Sequence, residues 1–157
     1  MRSVVLTAAE LEQLSEVVLG EGRAVSFRAR GRSMEPFLRE GDLLTVRRVA
    51  PEELRVGDVA FFRAPGPRLV AHRIVGRRLQ SGRLVLTARG DAGDGAAETV
   101  EGRDVLGRVA SMTRGESVRP LDRGFWRWAG WCWIAVSRAG LVGAARLPRR
   151  AVAALLR

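Results

Sequence analysis

From Arg23 to about Thr113 the chain is written in short runs rich in Val, Leu, Phe and Thr: AVSFRAR, DLLTVRRV, DVAFFRA, RLVAHRIV, RLVLTAR and DVLGRVASM. Gly-Asp, Gly-Arg and Pro-Gly pairs separate them. Strand-length runs with turn signals at this density favour a mainly β fold, a coiled or barrel-like sheet. Three Gly-Asp pairs recur, Gly41-Asp42, Gly57-Asp58 and Gly90-Asp91. The first two sit directly before a strand, where glycine supplies the turn and aspartate can accept from nearby backbone N–H groups. The flanking text does not recur at a fixed period, which excludes a repeat protein.

The ends read differently. Residues Ala8 to Leu19 carry Leu11, Leu14 and Val18 at helical spacing, with Thr7 as N-cap and Glu10 three residues on, a capping box; Gly20 and Gly22 supply the stop. Glu10, Glu12 and Glu16 within this apolar pattern exclude a secretory signal, and no window reaches the roughly 18 apolar residues of a spanning helix. After Arg123 come all four tryptophans, at 126, 128, 131 and 133, and the run from Trp128 to Val136 is apolar between Arg127 and Arg138. Such a segment, predicted to be helical, suits either the interfacial layer of a membrane or packing on the β domain, and Pro148 divides its basic end. The expected organisation is therefore an N-terminal helix over 1–22, a β domain over 23–115 and a Trp/Arg-rich helical tail over 116–157. Without a signal peptide or spanning helix, the expected location is cytoplasmic or peripheral to a membrane.

Size and composition limit what the β domain can rely on. A chain of 157 residues holds one ordinary domain, and its single cysteine, Cys132, forms no internal disulfide, so the fold stands on packing. All 27 basic residues are arginine; against 17 acidic groups the net charge is +10, which suits an anionic partner or reflects a genome that writes arginine freely. There is no lysine, and His72 is the only histidine.

Chemistry concentrates in Gly31 to Asp42, GRSMEPFLREGD. Ser33 follows an expected strand and precedes a turn stiffened by Pro36, a corner at which a hydroxyl is exposed and turn N–H groups can face a developing oxyanion. A serine at a turn more often only satisfies local backbone. What distinguishes this one is the series that follows: SMEP, GDLL, VGDVAFF, VAHRIV, TARGDAGD and DVLGRV. In order and distance these resemble the signal peptidase superfamily over roughly Ala24 to Val109. The resemblance implies a β-rich catalytic fold and peptide-bond cleavage by an active-site serine, with Ser33 in that place.

That superfamily pairs its serine either with lysine or with histidine and aspartate. With no lysine in the chain, and arginine too basic to accept a proton, the base is expected to be His72, in the VAHRIV that resembles the histidine-type enzymes. Strand alternation puts His72 and Ile74 on one face and Arg73 on the other, and the charge of Arg73 suggests an edge strand. For the residue that orients the imidazole, the segment GDAGDG offers Asp91, which the resemblance favours, and Asp94, with Glu98 a possible replacement. Where many relatives carry a hydroxyl two residues before the nucleophile, this chain has Gly31, leaving the oxyanion to backbone N–H groups such as that of Ser33.

The expected function is thus a serine endopeptidase acting on a peptide or precursor protein, without cofactor or metal. A catalytically inactive binding module of the same shape is the alternative. A self-cleaving DNA-binding regulator is less favoured, because few residues precede the β domain and that class uses lysine; a nucleic-acid partner is not expected.

Overall fold

In a computed structural model, residues 6–93, 95–123, 129, 132 and 133 are described. Helix α1 spans Ala8–Gly20, with the Thr7–Glu10 capping box formed in both directions: Thr7 N–H donates to Glu10 Oε2 at 2.7 Å and Glu10 N–H to Thr7 Oγ1 at 3.3 Å. Eight strands follow: β1 Val25–Arg28, β2 Leu43–Arg47, β3 Val59–Ala64, β4 Arg68–Gln80, β5 Arg83–Arg89, β6 Glu98–Glu101, β7 Val105–Arg114 and β8 Ser117–Pro120. They form one antiparallel sheet in the order β1-β2-β7-β3-β4-β5-β6, with β8 added to β7, curled into a half-barrel. The mainly β expectation is met.

Three register shifts supply the curl, at Thr45/Val46, Phe61/Phe62 and Ile74/Gly76; an extra residue on one strand bends it and increases its twist. Strand β3 is buried on both faces, so two cores form. Phe61 joins Leu19, Val25, Met34, Leu38, Leu44, Val46 and Met112 on one side; Phe62 joins Leu54, Ile74, Leu86, Ala88 and Val100 on the other. Helix α1 covers the first core with Leu11, Val18 and Leu19. Leu14, expected on that face, is 45% exposed while Ser15 is buried, because the helix presents the 11/15/18/19 stripe to the sheet. Arg63 of β3 ties the helix down through Glu12 and Glu16.

The first two Gly-Asp pairs act as one device used twice. Gly41 (φ 86°) and Gly57 (φ 100°) take the left-handed turn conformation. The next aspartate then accepts from the N–H three residues earlier: Asp42 Oδ2 from Arg39 at 2.8 Å, Asp58 Oδ2 from Arg55 at 2.9 Å. Each turn delivers the chain into a strand, β2 and β3.

Candidate active site

Ser33 lies in an irregular turn between β1 and β2. The turn is seated by Met34, Phe37 and Leu38, all buried, while Ser33 itself is exposed. Backbone bonds within it run from Glu35 N–H to Arg32 O (3.1 Å) and from Leu38 N–H to Met34 O (2.9 Å). Arg32, the residue before Ser33, pairs with Glu35 at 3.0 Å on the surface.

His72 comes from β4, which is not an edge strand, contrary to expectation: it pairs with β3 over Arg68–Arg73 and with β5 from Arg73 to Gln80. His72 sits just before that handover. It is paired to Ala60 of β3, but its other side lies beyond the last β5 partner, Arg89. An imidazole on an interior strand thereby gains an open flank. Its Nε2 lies 3.0 Å from Ser33 Oγ, and its Nδ1 lies 2.8 Å from Oε2 of Glu98. His72 and Glu98 are mostly covered, their side chains 15% and 20% exposed. Phe62 packs edge-on to the imidazole, with centroids 6.4 Å apart.

The carboxylate at the imidazole is thus Glu98, the possible replacement, and not Asp91, the residue expected first. Asp91 has a different partner. Its two oxygens receive Arg73 Nε at 2.7 Å and Nη2 at 2.6 Å, and both side chains are 3% exposed. Arg73, placed by alternation on the face opposite His72, is buried because each of its three guanidinium nitrogens has a partner: Nη1 donates to Gly57 O at 2.8 Å, and the guanidinium lies over the Phe37 ring at 5.0 Å. Asp94 lies outside the described residues. Glu98 reaches His72 through pairing that the local text does not display: β4 Ile74 faces β5 Ala88, and Ala88 faces β6 Glu98. The one local cue is alternation in ETVE, which puts Glu98 on the same face as buried Val100.

The third Gly-Asp pair joins these parts. A Cβ on Gly90 would stand 2.5 Å from the Ser33 carbonyl oxygen, so only glycine lets the two segments meet. Two residues later Ala92 N–H donates to that same oxygen at 2.9 Å. The Gly90–Gly93 turn therefore holds the Ser33 turn by its backbone while Asp91 fastens it to β4.

Chemically, an alcohol, an imidazole and a carboxylate stand in line at hydrogen-bonding distances. Such a line can pass a proton from the alcohol to Nε2 while the carboxylate holds the Nδ1–H tautomer. Among the described residues no group of His, Cys, Asp and Glu is placed to hold a metal ion, and no helix is long and apolar enough to cross a membrane. Of the tail tryptophans only Trp133 is described; Trp126, Trp128 and Trp131, and with them most of the helical expectation there, lie outside the described residues.

No curated protein and no solved structure gives a significant match to the chain. A family model described as Peptidase S24-like matches residues 5–103, a span that includes Ser33, His72, Asp91 and Glu98. With well over half its length matched, and a curled β sheet bearing an exposed serine, the chain belongs to the Peptidase S24-like family.

Proposed function

We propose that the protein is a serine endopeptidase that processes a peptide or precursor protein in the manner of signal peptidases, with Ser33 as nucleophile, His72 as general base and Glu98 as the carboxylate that orients it. The observation that carries this reading is the pair of distances at one imidazole, 3.0 Å to Ser33 Oγ and 2.8 Å to Glu98 Oε2. Family membership supports it at the level of serine-peptidase chemistry.

The steps follow from the line of groups. Ser33 Oγ attacks the peptide carbonyl carbon as its proton moves to His72 Nε2, and the carbonyl electrons pass to oxygen. The oxyanion meets backbone N–H groups of the turn, that of Ser33 first, since Gly31 brings no hydroxyl. Return of the proton from His72 to the departing amine breaks the C–N bond and leaves an acyl ester on Ser33. Water then attacks that ester, giving its proton to the same nitrogen; the C–Oγ bond breaks, the acid product leaves, and Ser33 Oγ takes the proton back from His72. Glu98 keeps the imidazolium paired throughout. Strand β1, an edge of the sheet five residues upstream of Ser33, offers an extended substrate a place to add as a further strand.

The test is cleavage of a peptide mixture prepared from denatured protein, with products identified by mass spectrometry. The wild-type chain is expected to cut and Ser33→Ala and His72→Ala to lose the cuts, with folded circular-dichroism spectra in all three. Cutting that persists in either variant defeats the assignment. Absence of cutting by the wild type, at any concentration and on its own chain, leaves the inactive binding module.

A further inference from the structure

Trp133 is where the C-terminal segment meets the site. Its Nε1–H donates to the carbonyl oxygen of Asp91 at 3.0 Å. Its ring stands edge-on to Phe37, with centroids 5.8 Å apart and planes at 74°. Phe37 belongs to the Ser33 turn and carries the Arg73 guanidinium on its ring. Asp91 is consequently gripped twice, its carboxylate by Arg73 from β4 and its carbonyl by Trp133 from the tail. The next residue, Ala92, holds the Ser33 carbonyl.

The two ends of the Ser33–His72 pair are secured unequally. His72 is fixed by strand pairing with Ala60 and by Glu98. Ser33 belongs to no strand, and its place against the sheet comes from the Ala92 bond and the packing of Met34, Phe37 and Leu38. Trp133 touches both of those supports, the Gly90–Gly93 turn through its N–H and the Ser33 turn through Phe37.

We infer that Trp133 is a positioning residue of the site, a clamp from the C-terminal segment that sets Ser33 against His72 without touching the reacting atoms. The inference rests on the peptidase reading of those two residues. It gives Trp133 a role in turnover: whatever draws this side chain away slackens the nucleophile and leaves the base in place.

The experiment uses the full chain and two variants. Trp133→Phe keeps an aromatic ring for Phe37 and removes the N–H; Trp133→Ala removes both. The first readout is amide hydrogen exchange at Ala92, with Ile74, whose N–H donates to Asp58 O at 2.8 Å, as internal reference. Exchange at Ala92 is expected to quicken about tenfold or more in Trp133→Ala and less in Trp133→Phe, with Ile74 unchanged, as local opening requires. The second readout is turnover of a peptide that the wild type cuts, expected to fall in the same order through kcat, with KM held, by about tenfold or more in Trp133→Ala, since small misplacements of reacting groups are costly. Unchanged exchange at Ala92 in Trp133→Ala overturns the clamp, as does an equal rise at Ile74, which marks general destabilisation. Full turnover in Trp133→Ala despite a loosened Ala92 overturns the link to catalysis. A wild-type chain that cuts nothing defeats the peptidase reading instead, and Ala92 exchange still decides whether the clamp exists.

Discussion

Glu98, the first residue of edge strand β6, places its Oε2 2.8 Å from Nδ1 of His72 on an interior strand, so the imidazole takes its carboxylate from two strands away. Asp91, seven positions earlier in the chain, serves a different cation.

The first prediction separates those carboxylates by rate. Glu98→Gln preserves shape but lets the side-chain amide donate to Nδ1, favouring the wrong tautomer. By analogy with the carboxylate of serine-protease triads, kcat/KM on a cleaved peptide is expected to fall about 10²–10⁴-fold, with the melting temperature nearly kept. A Glu98→Gln variant of wild-type rate removes Glu98 from the orienting role.

Asp91 is expected to show itself in stability. Asp91→Asn leaves a guanidinium buried without its counter-charge, a loss of about 3–5 kcal/mol by comparison with other broken buried pairs. Urea denaturation measures it. The double variant Arg73→Met with Asp91→Leu is expected to recover much of that loss, because no unpaired charge remains. A single variant as stable as wild type contradicts the buried pairing.

Gly90→Ala tests the backbone contact between the turns. The added methyl falls 2.5 Å from the Ser33 carbonyl, so one segment must move. The expected cost is about 1–3 kcal/mol of stability, as in other overpacked sites. Loss of cleavage is expected to exceed what that instability explains, read at a temperature where the variant remains folded.

Acid stability is expected to depend on Asp42. Burial on its own would push this carboxyl up, but the two-pronged Arg114 contact (2.8 and 2.7 Å) and the Arg39 N–H hold it below the usual carboxylate value. A carboxyl that is more acidic folded than unfolded binds fewer protons in the native state. Its contribution is complete above the unfolded value, near pH 4, and is lost as pH falls through the lower folded value. Denaturation midpoints are expected to drop across that acid range in the wild type, and the slope is expected to flatten in Asp42→Asn. An equal slope in the variant places the acid sensitivity elsewhere.

The sheet was legible because its information is local. Alternating runs and Gly-Asp turns mark the strands, and Thr7 with Glu10 marks the start of α1 within a residue. Motif context and the missing lysine single out Ser33 and His72, and the fold brings the two side chains to 3.0 Å. What escaped depends on which strands become neighbours. Arg73 reads as an edge-strand charge until Asp91, Gly57 and Phe37 surround it. His72 reads as an edge residue because nothing near it announces that β5 begins to pair one position later. Glu98 reads as a lesser candidate than the aspartates of GDAGDG, since its closeness to His72 is created by two successive ladders, β4 with β5 and β5 with β6. The contact between Trp133 and Asp91 spans 42 positions and left no trace in either segment.

The spacing of Ser33, His72 and Glu98 along the chain also sets an order of arrival during synthesis. The alcohol leaves the ribosome first, the imidazole follows, and the carboxylate comes last, on a four-residue strand that must wait for β5 before it can dock. A nascent chain therefore carries Ser33 and His72 before Glu98 has been made, and on the proposed reading competence to cut waits for the far border of the sheet to close.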